Sequence, residues 1–147
     1  MKKISHVLLV LTLGVLFAYS CSPKKQSSSN SETPKTEIQA RGTVLETTSL
    51  ELDFSAYKVT FLEIGAKACI PCRQMQPIMR EIAKEFPNEV HVVFYDVWKD
   101  PNPARKYGIQ LIPTQVFIDQ KGKEIFRHVG FFPKEEIVKL LRENGVK

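Results

Sequence analysis

The chain is poor in cysteine, in long apolar runs and in net charge over its longer part. Its 147 residues contain three cysteines, too few for a disulfide-dense scaffold, and the odd number leaves at least one unpaired or modified. The longest apolar run, Val7 to Tyr19, has 13 residues and is interrupted by Thr12 and Gly14. Spanning a bilayer as a mature helix takes about 18–20. No internal repeat is visible. The formal charge of +5 is unevenly placed. Residues 1–36 hold five basic residues against Glu32, whereas residues 37–147 hold 16 basic and 15 acidic ones. The longer part is therefore close to neutral, which removes the main support for a nucleic-acid partner. Composition is otherwise ordinary, with 43% hydrophobic and 25% charged residues, and this excludes a wholly disordered chain.

Residues 1–21 read as an export signal: Lys2 and Lys3, then the short apolar run, then Ala18-Tyr19-Ser20-Cys21. Small residues before a cysteine resemble the lipobox of bacterial lipoproteins, in which the cysteine is acylated and becomes the mature N-terminus. The resemblance implies lipidation at Cys21 and accounts for the odd cysteine. An ordinary cleaved signal or an uncleaved anchor are the alternatives, and all three readings export the remainder of the chain. Residues 22–36 contain no aliphatic or aromatic side chain. With no apolar area to bury they are expected to be a disordered tether, with a root-mean-square span of roughly 20 Å.

Residues 37–147 suffice for one small core. Thr60 to Gly65 reads as a buried strand. Pro71 to Phe86 reads as a helix, with Met75, Ile78, Met79, Ile82 and Phe86 on one face and Pro77 as a kink. Val90 to Val97 is a near-continuous apolar run that suits a strand covered on both faces. A short helix is predicted between Asp100 and Tyr107, ending at Gly108. Thr114–Asp119 and Lys123–Val129 read as a hairpin around Gln120-Lys121-Gly122. Pro133 to Asn144 forms a last helix, stopped by Gly145. Leu50, Leu52 and Phe54 alternate, which predicts an additional strand. Alternating elements followed by a hairpin imply an α/β fold, a mixed sheet with helices on both faces.

Cys69-Ile70-Pro71-Cys72 lies where the first buried strand turns into a helix. A thiol at a helix N-terminus faces unpaired backbone N–H groups and the positive end of the dipole, which favours the thiolate, the attacking species. Cys69 is expected to be the exposed nucleophile. Cys72, inside the first turn, is expected to be covered and to resolve the mixed disulfide. Pro71 stiffens the loop. Zinc needs about four ligands, and the domain offers only His91 and His128 besides, without ligand-pair spacing. A c-type haem site needs His after the second cysteine, where this chain has Arg73. No metal and no cofactor beyond the Cys69–Cys72 pair is expected. An inert structural disulfide stays open as the alternative.

From Cys69 to Pro77 the pattern Cys-x-Pro-Cys-Arg-x-Met-x-Pro resembles the active-site helix of the thioredoxin family. Asp96, Lys106-Tyr107-Gly108-Ile109, Ile112-Pro113-Thr114, Gly122 and Val129-Gly130 match the family's later landmarks, so the resemblance covers most of residues 59–145. It implies a thioredoxin fold and thiol–disulfide exchange. It also implies that Pro113 is the family's cis-proline beside the cysteines, with a trans proline in a loop as the alternative. The family carries a buried Asp at the position of Glu63. Alternation puts Glu63 on the face of Phe61, where burial raises a carboxyl's pKa and suits it to shuttle a proton for Cys72. An outward, solvated Glu63 is the alternative. Ala68 and Ile70 replace the family's usual Trp and Gly, and Gly130-Phe131 its Gly-Ala. Ile70, Pro71, Ile112 and Phe131 are therefore expected to form an apolar substrate rim. His91, His128 and Trp98 are read as structural.

Two classes of function fit this pattern. One is an exported, lipid-tethered thiol–disulfide oxidoreductase acting on protein disulfides. Reduction is favoured, because no room exists between the cysteines and Pro113 for the helical insertion that resembles disulfide-forming oxidases. A reductase outside the cytosol then needs a membrane electron donor. The other is a binding module with a static disulfide.

Overall fold

The computed structural model describes residues 40–147. The signal segment, Cys21 and the tether lie outside the described residues. Eight elements succeed one another: β1 (Val44–Glu46), β2 (Val59–Gly65), α1 (Ile70–Glu85), β3 (Val90–Asp96), α2 (Asn102–Lys106), β4 (Thr114–Asp119), β5 (Glu124–Val129) and α3 (Lys134–Glu143). The strands form one sheet in the order β1-β3-β2-β4-β5. β1 and β2 run parallel to β3, while β4 is antiparallel to both β2 and β5. The mixed sheet ending in a hairpin matches the expectation from sequence.

β2 and β3 are buried along their whole length, because both of their faces are covered. On one face Val59, Phe61, Val92, Phe94 and Phe117 pack against Met75, Met79 and Ile82 of α1 and Ile137 and Leu141 of α3. The rings of Phe61 and Phe117, opposite each other in the ladder, stack with centroids 4.7 Å apart. On the other face Leu62, Ile64, Val93, Tyr95, Val116 and Ile118 are covered by Tyr107 and Ile109, next to α2, and by Leu50, Leu52 and Phe54. Gly122 turns the β4–β5 hairpin and Gly145 lies just past α3, each at a positive φ that a side chain disfavours.

Two expectations need correction. No strand forms at Leu50, Leu52 and Phe54; the early strand is Val44–Glu46, paired with Val92–Phe94. The three alternating residues are instead the lid of the second core cluster, so their pattern reflects burial without a ladder partner. Trp98, read as structural, is 65% exposed and so packs little; it sits past the end of β3.

Candidate active site

The site is built at the C-terminal end of β2, where the chain leaves the sheet and enters α1. Cys69 occupies the N-cap of α1 with extended backbone angles and no side-chain cap. Its N–H donates to the Ala66 carbonyl at 3.1 Å, and its carbonyl accepts the N–H of Arg73 at 3.0 Å, the first bond of the helix. Pro71 falls in the first helical turn, where its missing N–H leaves nothing unsatisfied. Cys69 and Cys72 are joined as a disulfide with their Cα atoms 5.3 Å apart. The two cysteines differ in access: Cys69 is partly exposed, and Cys72 is completely buried.

Below Cys72 lies a gap that only glycine leaves open. A Cβ on Gly65 would stand 3.1 Å from Cys72 Sγ, 3.3 Å from Cys72 Cβ and 3.5 Å from Glu63 Oε1. The resolving sulfur and Glu63 Oε1 thus border the same point beside Gly65. Glu63 is fully buried, on the same face of β2 as Phe61, as alternation predicts. Burial drives its pKa up to about 8, against the opposing effect of a hydrogen bond from Gln115. Gln115 Nε2 donates to Glu63 Oε2 at 2.9 Å and to the Gly130 carbonyl at 3.0 Å. Glu63 Oε1, the oxygen nearest the gap, has no hydrogen-bond partner among the described residues.

Replacing Gly65 with Ala should therefore act on the site directly. The struck atoms belong to a buried, disulfide-held side chain that has little room to move. Overpacking of this kind is worth about 1–3 kcal/mol of destabilisation. The expected result is a lower urea midpoint together with slower disulfide exchange. An unchanged midpoint would show that the gap has slack.

The Ile112–Pro113 peptide bond is cis. Thr114 pairs with Ile64 across the β2–β4 ladder, so Pro113 lies level with the Gly65 end of β2. The Pro113 carbonyl accepts the Gly130 N–H at 2.8 Å, which ties the segment before β4 to the loop after β5. Around this floor Ile70 is 67% exposed and Phe131 45%; Pro71 is exposed and Ile112 half-buried. Leu111, 67% exposed, adjoins Ile112 and is missed by sequence reasoning, although its place two residues before Pro113 is a usable signal. Gln115 is missed as well. Its strand is plain in the sequence, but its pairing with Glu63 depends on the β2–β4 register. Among the described residues no group of three His, Cys, Asp or Glu side chains is gathered to hold a metal ion.

The sequence model of the thioredoxin family matches residues 43–143. The chain belongs to the thioredoxin family. It is 30% identical over 92 residues to the thioredoxin of Chlamydia trachomatis serovar D, covering 63% of this chain and 88% of that protein. It is 34% identical over 87 residues to thioredoxin 2 of Chlorobaculum tepidum, covering 59% and 79%. A mutant thioredoxin from Halobacterium salinarum NRC-1 superposes with a TM-score of 0.65 at 22% identity, over 74% of this chain and 96% of that one. Thioredoxin F from spinach chloroplast does so at 0.62 and 19%, over 72% and 96%. The two solved structures show the thioredoxin fold. This thioredoxin-family protein is a thiol–disulfide oxidoreductase whose redox pair is Cys69–Cys72.

Proposed function

We propose that the protein is an exported, lipid-anchored reductase of protein disulfides. The observation that carries the chemistry is that buried Cys72 and buried Glu63 border the same point beside Gly65, below a more accessible Cys69. The Cys69 thiolate attacks one sulfur of a partner disulfide, forming a mixed disulfide and expelling the first partner thiolate. Glu63 carboxylate takes the proton of the Cys72 thiol. The Cys72 thiolate then attacks Cys69 Sγ, closing Cys69–Cys72 and expelling the second partner thiolate. Two electrons pass to the partner. The two thiolates take up two protons, one of them from Glu63 by way of water. Ile70, Pro71, Ile112 and Phe131 form the surface on which the partner segment lies, with the buried Pro113 beneath it. No cofactor beyond the cysteine pair enters.

Reduction is the direction favoured by the short connection between the cysteines and Pro113, which holds only the rest of α1, β3 and the five-residue α2. Cys21 supplies the lipid anchor on the extracytoplasmic side, residues 22–36 the tether, and a membrane dithiol the electrons. Equilibration with a glutathione buffer tests the direction. A reductase should have a potential at or below about −230 mV, and one near about −120 mV would identify an oxidant instead. Cell fractionation tests the anchor. Cys21→Ser should move the protein from the membrane to the soluble fraction, and no change would refute lipidation.

A further inference from the structure

Gln115 is an unusual residue for its position. On the α1 face, β4 presents Gln115 and then Phe117, opposite Glu63 and Phe61 of β2. An aliphatic side chain would fill this fully buried position without an amide to satisfy, since buried polar groups are unfavourable unless hydrogen-bonded. Both bonds of the amide come from Nε2, one to Glu63 Oε2 and one to the Gly130 carbonyl. Oε1 has no partner among the described residues. The carbonyl of Gly130 decides which way the amide faces. A half-turn would set Oε1 against it, acceptor against acceptor. The Gly130 N–H is already engaged with Pro113 and offers no alternative. An N–H is therefore always presented to Glu63, and a donor at that point favours the carboxylate over the acid.

We propose that Gln115 is a positioning residue for the reaction: locked by the Gly130 carbonyl, its amide orients Glu63 toward Cys72 and makes its proton-accepting form easier to reach than burial alone would allow. The inference rests on the reading of Glu63 as the proton acceptor for Cys72. Cys72 faces Glu63 from α1 and Gln115 from β4, Phe94 is its register partner on β3, and Phe61 and Gly65 flank it on β2. Burial and Gln115 are the two causes of its pKa shift, and they oppose each other. Removing the amide leaves burial unopposed.

The test uses the full chain with Cys69–Cys72 oxidised, so that neither thiol titrates. Carboxyl carbon NMR should follow Glu63 with a midpoint at about 8. Gln115→Met keeps the length and removes the amide, and should raise the midpoint by about one to two units. Release of a preformed mixed disulfide should then slow about ten-fold or more at neutral pH, because each unit removes tenfold of the carboxylate, and should recover at higher pH. Glu63→Gln combined with Gln115→Met should be no slower than Glu63→Gln alone, since one residue acts through the other. A midpoint unmoved in Gln115→Met, or additive losses in the double variant, overturns the proposal. If Gln115→Met does not fold, the wild-type Gln115 side-chain N–H signals decide: they should shift with the Glu63 midpoint, and constancy across it overturns the proposal. If Glu63→Gln releases as fast as wild type while Gln115→Met still moves the titration, the proton-acceptor reading falls and the anchoring of Glu63 by Gln115 stands.

Discussion

Cys72→Ser should reduce multiple-turnover disulfide reduction by on the order of 10³-fold or more, while leaving the first attack intact. Cys69 is the partly exposed cysteine, and Cys72 is wholly buried, so Cys69 is the one that a large partner is expected to reach. Resolution by Cys72 is intramolecular, at a fixed Cα separation of 5.3 Å. Well-oriented intramolecular reactions reach effective molarities of about 10⁵–10⁸ M, and millimolar external thiol replaces such a group poorly. The serine variant should therefore accumulate covalent adducts with partner proteins, visible on non-reducing gels and released by dithiothreitol. Cys69→Ser should give no adduct, since the remaining thiol is covered. Equal trapping by both variants would refute the assignment of roles, and identifying the adducts would name the partners.

Glu63→Gln should make the oxidised protein more stable above neutral pH and remove a pH dependence that the wild type carries. The carboxyl's pKa is raised from 4.5 to about 8 by burial. Between these values the folded state holds a proton that the unfolded state has lost. Stability accordingly falls as pH rises from about 4.5 to about 8, by an upper bound of about 4–5 kcal/mol, and is level on either side. His91, whose pKa burial lowers, acts in the opposite sense, below its ordinary titration range. Glu46 and Glu89, whose pKa values are lowered by lysine partners, act only at more acid pH. The difference between wild type and variant therefore isolates Glu63. Urea unfolding at pH 5, 7 and 9 should give curves that diverge as pH rises; parallel curves would refute the buried, protonated carboxyl. Loss of the proton acceptor should also slow resolution by about 10²-fold and abolish the rate inflection near pH 8.

Most elements are legible because their signals are local. Met75, Met79 and Ile82 recur at helical spacing, and Thr60 to Gly65 and Val90 to Val97 read as apolar strands that the structure buries on both faces. The alternation of Leu50, Leu52 and Phe54 misleads because period-two burial also occurs in an extended segment that packs without pairing. Trp98 misleads because an aromatic residue after a buried strand says nothing of where cover ends.

By itself the sequence determined the cysteine pair, its place at a strand-to-helix turn, and the presence of a carboxylate on a core-facing strand position. Each depends on residues within a turn or two of one another. The tertiary structure alone decided that Cys72 and Glu63 border the same point beside Gly65, and that Gln115, 52 positions from Glu63, is its partner. Those facts depend on the β2–β4 register and on how closely α1 sits over the sheet. Register and packing distance are set by the whole core, so no local stretch of residues encodes them.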